Sequence, residues 1–317
     1  MALEQFDRTA KLTIAELGDP FGLAIEFAQD RGLRFAFDVT KTNDLQPNAA
    51  TITIWNLAES TRSDLTRKVR RLAAATYGLG AVGGAVPGNV EATAFALGAA
   101  YVKLSAGYGK ASSQVMEGTS TSITSKRTGV DWRTILTFGD GELAARAAIA
   151  NQSFAPGTPY AAVIQYLIDT LGVDNDPAEL ATALGGKPSV AIGFPKGVLV
   201  TGPARKKLES LLGLLEIRAS IQDGRFQILT DVGTTQDAPI PLSLANGLLD
   251  KPRPLEDNAF EVRTLLLPEL SPGRPVALTS ADVSGAFRVE QVSHRGDTHG
   301  GEWFSVAELR EPFAVSL

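Results

Sequence analysis

The sequence predicts an α+β chain that is mainly β, with two β-rich ends flanking a helix-containing module. Three observations carry this. Leu33, Phe35, Phe37 and Val39 alternate with polar or small residues, the period of a strand with one buried face. In the middle of the chain the apolar spacing changes to that of helices. Beyond residue 245, runs rich in β-branched and aromatic residues return between Pro and Gly punctuation. A length of 317 residues fits two or three domains at roughly 100–200 residues each. The expected units are 1–142, 143–245 and 246–317, with an Ala/Gly-rich insertion at 72–100.

The elements follow in order. The run Ala50-Thr51-Ile52-Thr53-Ile54-Trp55 is β-branched and alternating, and Gln46-Pro47-Asn48 before it is a turn. Asn56-Leu57 leads into a short polar helix with Ser60 as its expected N-cap. Val102-Lys103-Leu104 begins further short strands, around Val115, Ile123 and Thr134–Phe138, and Asp140-Gly141 closes the region as a turn. In the module, Thr158 is the expected N-cap, Pro159 sits at N1 and Gly172 follows the last turn. Between them Tyr160, Val163, Ile164, Leu167, Ile168 and Leu171 share one helical face. Ala204, Leu208, Leu211, Leu212 and Leu215 repeat that spacing over Pro203–Leu215. Asp223-Gly224, between Ala219/Ile221 and Phe226/Ile228, marks a two-residue hairpin with a type I′ turn. The last strands are expected over Phe260–Leu267, Val276–Thr279, Phe287–Val292 and Trp303–Leu309.

The two ends share a weak repeat. Ala36-Phe37-Asp38-Val39 and Leu45-Gln46-Pro47-Asn48 are echoed by Ala259-Phe260-Glu261-Val262 and Leu270-Ser271-Pro272-Gly273. Arg127, Gly129 and Asp131-Trp132 are echoed by Arg295, Gly296 and Glu302-Trp303. A duplication would give one chain two similar small barrels joined by the module.

Composition narrows the chemistry. A net charge of −5 and no basic footprint argue against a binder that works by neutralising nucleic-acid backbone. With no cysteine, thiolate nucleophiles and Cys-based metal sites are excluded. The first residues carry Glu4 and Asp7 and no apolar core of a signal peptide, so synthesis in a cytoplasm without export is expected. The stretch from Leu72 to Ala100 is apolar but carries Pro87 and several glycines, which makes it a poor membrane span. Gly78-Leu79-Gly80-Ala81-Val82-Gly83 matches a dinucleotide fingerprint in letters only, since a basic helical run, not a strand, precedes it. His294 and His299 lie near Asp297 and Glu302, a set that could bind a divalent ion, but turn chemistry explains the Gly and Asp there. Asp140 and Glu142 could be offered as a glycosidase pair, although spacing in sequence cannot place them across a cleft. The basic clusters Arg67, Lys68, Arg70, Arg71 and Arg205-Lys206-Lys207 read as solvated helix faces. No catalytic, cofactor or metal residues are assigned.

The order of motifs resembles the central hub proteins of phage tail baseplates. LRFAFDVTKTNDLQPNAATITIWNLAESTR opens the resemblance, followed by VKLSAGYG, VMEG and RTGVDWRTILTFGDGE. SFAPGTP, GPARKKLESLL, ANGLLDKPRP, LLLPELSPGRPVAL and FRVEQVSHRGDTHGGEWFSVAE complete it, covering most of residues 30–310. Each motif alone is a loose strand-turn pattern; their order is the specific part. The resemblance implies a structural virion protein, not an enzyme, without cofactor. It implies a homotrimeric ring of two tube-like barrels per chain, so that three chains meet a sixfold tail tube above and a threefold spike below. Partners would be the tail tube or distal tail protein, the spike and the tape-measure protein, with DNA only in transit and no membrane. The protein would be made in the host cytoplasm and end in the tail baseplate. The 72–100 stretch departs from the compact pattern and is expected to make an extra assembly contact. The competing readings are a tail-associated cell-wall glycan hydrolase and the hub of a phage-related contractile injection system.

Overall fold

The computed structural model describes residues 7–16, 23–28, 32–66, 100–140, 148–185, 193–215, 217–229, 233–235, 237–256 and 258–311. Of the described residues, 52 % lie in strands and 17 % in helices, so the fold is mainly β as the patterning predicts. The 72–100 insertion lies outside the described residues except for Ala100, which starts a strand. The Gly78–Gly83 run, the Arg67–Arg71 cluster and Glu142 also lie outside them.

The N-terminal part holds β1 (Arg8–Glu16), β2 (Leu23–Ala28), β3 (Phe35–Thr42), β4 (Ala49–Trp55), β5 (Ala100–Tyr108), β6 (Ala111–Thr128) and β7 (Asp131–Gly139). Val115 and Ile123 belong to one strand of 18 residues, not to separate short ones. A bulge between Ser120 and Ser122 lets that strand bend without ending. The helix after Leu57 begins at residue 59, so Ser60 lies inside its first turn and is not the cap.

The middle module pairs β8 (Ile149–Phe154) with β9 (Val198–Pro203) and packs three helices, Tyr160–Leu171, Pro177–Gly185 and Ala204–Leu214. Thr158 does not cap the first helix. Its hydroxyl donates to the Ala155 carbonyl at 2.8 Å, and Pro159 takes the cap position. Gly172 ends that helix at φ 66°. Leu167, Ile168, Leu208 and Leu212 meet in one core, with Phe226 of the following hairpin. That hairpin joins β10 (Arg218–Gln222) to β11 (Arg225–Leu229) through Asp223 and Gly224, both at positive φ as a type I′ turn requires.

The last part holds β12 (Ile240–Leu242), β13 (Arg253–Pro254), β14 (Ala259–Leu265), β15 (Pro275–Thr279), β16 (Ser284–Asp297) and β17 (Trp303–Arg310). Among the described residues no ladder closes either end of the chain into a barrel. Both ends share one 13-stranded sheet, in the order β13-β14-β17-β16-β3-β4-β7-β6-β5-β1-β2, with β15 and β12 beyond the first half of β16. The cause is the length of β16. Its first half pairs with β15 and its second half with β3, so it bridges the two ends. The far edge folds back through side chains. Arg8 donates to the Gly300 carbonyl at 2.9 Å, and the Leu266 N–H donates to the Tyr108 hydroxyl at 3.2 Å. Two cores result: one around Phe35, Ile52, Leu104 and Leu136 that also takes in Trp303, the other around Val276, Phe287 and Leu309.

The repeat is visible in strand order. The N-terminal end runs β3-β4-β7-β6-β5 and the C-terminal end runs β13-β14-β17-β16-β15. The bulge recurs at the matching place, between Ser120 and Ser122 in β6 and between Val289 and Gln291 in β16. Trp132 and Trp303 take corresponding places in β7 and β17, as the repeat suggests. The other echo is shifted by one strand: Ala259–Val262 belongs to β14, whose counterpart is β4, not the β3 segment Ala36–Val39.

Candidate assembly site

Strands β3, β4 and β7 run between two ends of the sheet that differ in chemistry. At one end the helical module plugs in; the other is an open rim of Trp and Arg.

The plug is the tip of the β10–β11 hairpin. Lys41 is the last member of the alternating buried set Phe35, Phe37, Val39, and its side chain is 2 % exposed. Its ammonium meets the Asp223 carboxylate at 2.8 Å. Gly224 donates its N–H to Asp140 Oδ1 at 2.8 Å, while Asp140 Oδ2 has no hydrogen-bond partner. Asn48 Nδ2 donates to the Ile221 carbonyl and to Gln222 Oε1, and Gln222 Nε2 donates to the Thr42 carbonyl. Burial, and then the neighbouring Asp223 charge, push the Asp140 carboxyl up to about 7. A buried polar network of this kind fixes one orientation of module against sheet, because any shift leaves groups unpaired. Asp140 therefore sits in a structural socket. Arg205, read as solvated, donates to the Leu45 carbonyl and Gln46 Oε1 and so ties its helix to the β3–β4 turn.

The three tryptophans of the chain gather at this end, each under a guanidinium; Trp55 and Trp132 reach the surface, while Trp303 is buried in the core. Arg34 lies over Trp55 at 4.3 Å, Arg62 over Trp132 at 4.1 Å and Arg8 over Trp303 at 5.6 Å. Arg34 also grips Asp297 with two nitrogens, at 3.2 and 2.7 Å. Burial pushes Asp297 up, but Arg34 and the backbone N–H groups of His299 and Gly300 outweigh it and hold the carboxyl below its usual range. Val130 is 86 % exposed in the β6–β7 turn, and Trp132 and Leu33 at this end of the strands are partly exposed. Aromatic and Arg side chains with exposed apolar neighbours are the composition of protein contact surfaces.

The two histidines are not brought together as ligands. His294 is fully buried in β16, with Nδ1 on the Ser305 hydroxyl at 2.8 Å and Nε2 on the Leu270 carbonyl at 3.1 Å. Burial, then the charge of Lys41, pull its ring down to about 3. His299 lies in the β16–β17 turn. Among the described residues no group of three or more His, Cys, Asp or Glu could hold a metal ion.

No family model matches the sequence, and no curated protein matches it. The fold is one found in phage tail proteins. The 43 kDa tail protein of prophage MuSo2 from Shewanella oneidensis superposes with TM-score 0.56 at 8 % identity, over 95 % of this chain and 97 % of that one. The tail protein from Neisseria meningitidis MC58 gives 0.52 at 9 % identity, over 95 % and 96 %. The c3393 protein of E. coli, a type VI secretion component with structural similarity to T4 tail proteins gp27 and gp5, gives 0.52 at 9 % identity, over 89 % and 74 %. At these identities the likeness concerns the fold.

Proposed function

We propose that this protein is the central hub of a phage tail baseplate, a homotrimeric ring that joins a sixfold tail tube to a threefold spike. The observation that carries the reading is the doubled strand order, β3-β4-β7-β6-β5 and β13-β14-β17-β16-β15, with its bulge at the same place in each copy. Three chains of this kind offer six similar units to a sixfold neighbour, which a single-unit trimer could not do. The fold shared with tail proteins supports it. We take residues 1–142 and 246–317 as the two ring units and 143–245 as the module that hangs from them through the hairpin socket. The role is geometric and assigns no catalysis. Partners are other copies of the chain, the tube or distal tail protein, the spike and the tape-measure protein, and the place of action is the virion tail.

The test is an image of the assembled particle with this chain labelled. Density on the tail axis, as a threefold ring between tube and spike, is the expected outcome. A position off the axis, in fibre or sheath, removes the reading. The likeness to a type VI secretion component favours one second reading, the equivalent hub of a contractile injection machine. Genes for a capsid or for a secretion apparatus beside this one separate the two.

A further inference from the structure

The duplication leaves two strand edges whose counterparts inside the chain are already paired. The second half of β16 follows its bulge and lies along β3, from Gln291 opposite Thr42 to Asp297 opposite Ala36. The second half of β6, Ser122–Thr128, follows the same bulge, yet among the described residues it pairs only with β7. The strand in the place of β3 in the other copy is β13, which among the described residues pairs only with β14. The edges are open to water at Thr124, Lys126, Arg127 and Thr128 on one and at Arg253, Pro254, Leu255 and Glu256 on the other, where Pro252 alone is buried.

We infer that Ser122–Thr128 of one copy takes the edge at residues 251–256 of a second copy, repeating between chains the joint that β16 and β3 make within one. This rests on the hub reading for the number of chains in the ring, but the edge pairing is separate from it. Transferring the β16–β3 register places Thr124 opposite Leu255, Ser125 opposite Pro254, Lys126 opposite Arg253 and Arg127 opposite Pro252.

The two joints differ in strength, for reasons visible in the residues. Arg34 gives its carbonyl to β4 and Phe35 gives its carbonyl to Thr298, so the odd-numbered residues of β3 face β16. Leu255 donates its N–H to Ala259 of β14, which turns the backbone of Pro252 and Pro254 outward. Proline has no N–H. At those two positions only β6 can donate, whereas Val39 and Phe37 donate as well in the joint within the chain. Arg295 pairs with Asp38 at 3.2 Å in that joint, and the corresponding pair between copies is Lys126 with Arg253, two like charges. A proline-bearing, like-charged edge resists indiscriminate strand addition. The chain therefore associates weakly alone and closes its ring when neighbours on the tail hold several copies together.

The chain has no cysteine, which makes a cross-link unambiguous. Thr124 and Leu255 would form a non-hydrogen-bonded pair, with Cα atoms about 4.5 Å apart. Oxidation of the Thr124→Cys/Leu255→Cys double variant is expected to give covalent multimers that neither single variant gives. Lys126→Glu, which restores an opposite-charge pair with Arg253, is expected to tighten self-association about fivefold in sedimentation equilibrium. Products that stop at three chains support the pairing and the ring. Products that continue past three support the pairing and remove the ring. A trimer by mass without cross-links, or a monomer up to the solubility limit in both experiments, overturns the pairing.

Discussion

Asp140→Asn should uncover a pH dependence that the native protein conceals. In the fold the Asp140 carboxyl titrates near 7, against 3.8 when exposed. Between those values the folded chain keeps a proton that the unfolded chain releases. Stability therefore falls as pH rises through the window, by about 1.4 kcal/mol per pH unit. Over the whole window this comes to roughly 4 kcal/mol, an upper bound because Asp223 and Lys41 share the site. His294 has the opposite sign. Its ring titrates near 3 in the fold, against 6.5 when exposed. The unfolded chain takes up that proton first, so stability is lost as pH falls from 6.5 toward 3. From about pH 4 to 6.5 the two slopes oppose each other. Asp140→Asn leaves only the rise with pH; His294→Gln leaves only the fall. Urea midpoints for native protein and both variants, at steps from about pH 4.5 to 7, give the differences in which all other carboxylates cancel. If Asp140→Asn runs parallel to native protein across that range, the socket does not hold Asp140 protonated and the reasoning fails.

Gly296→Ala should destabilise the joint of β16 with β3, since its Cβ would lie 2.3 Å from Phe37 Cζ and 2.9 Å from Trp303 Cε3. The expected loss is about 1–3 kcal/mol by denaturant titration, partly recovered when Phe37→Leu makes room. Lys41→Met should cost about 1–3 kcal/mol at pH 7, because it leaves Asp223 beside Asp140 without its cation. The same variant should lose less near pH 5, where Asp140 is protonated; an equal loss at both would contradict the placement of Asp140 next to Asp223.

Local periodicity made most elements legible. The Tyr160–Leu171 and Ala204–Leu214 helices, the Asp223-Gly224 turn and the strand faces of β3 and β4 all follow from residue spacing. The Pro177–Gly185 helix also carries a local start signal. Asp176 caps it, with its carboxylate accepting from the Ala178 N–H at 2.8 Å, and Pro177 opens it. The long-range joint was not legible, because nothing local in Ala36–Thr42 names Gln291–Asp297 as its partner. The polar socket left one clue. Lys41 falls on the same parity as Phe35, Phe37 and Val39, and a cation on the buried face of a strand needs an anion. Its partner Asp223 read instead as a turn residue, which it also is. The Trp–Arg rim was hidden because each Arg reaches its ring from a different element, Arg8 from β1, Arg34 from the loop before β3 and Arg62 from the helix after β4, at separations that no motif encodes.

The β3–β16 pairing has a consequence for the order in which the chain folds. The edge of β3 that β16 covers is made early in synthesis, and β16 is made near the end. Until then β3 presents an uncovered row of peptide groups next to an apolar face, the condition under which nascent chains pair with the wrong strand. The N-terminal strands thus cannot complete their pairing ahead of the C-terminal ones, and a ribosome-bound intermediate ending before residue 284 still exposes that edge. Contacts this distant in sequence also form slowly, so the final joint, not the early hairpins, should set the pace of refolding.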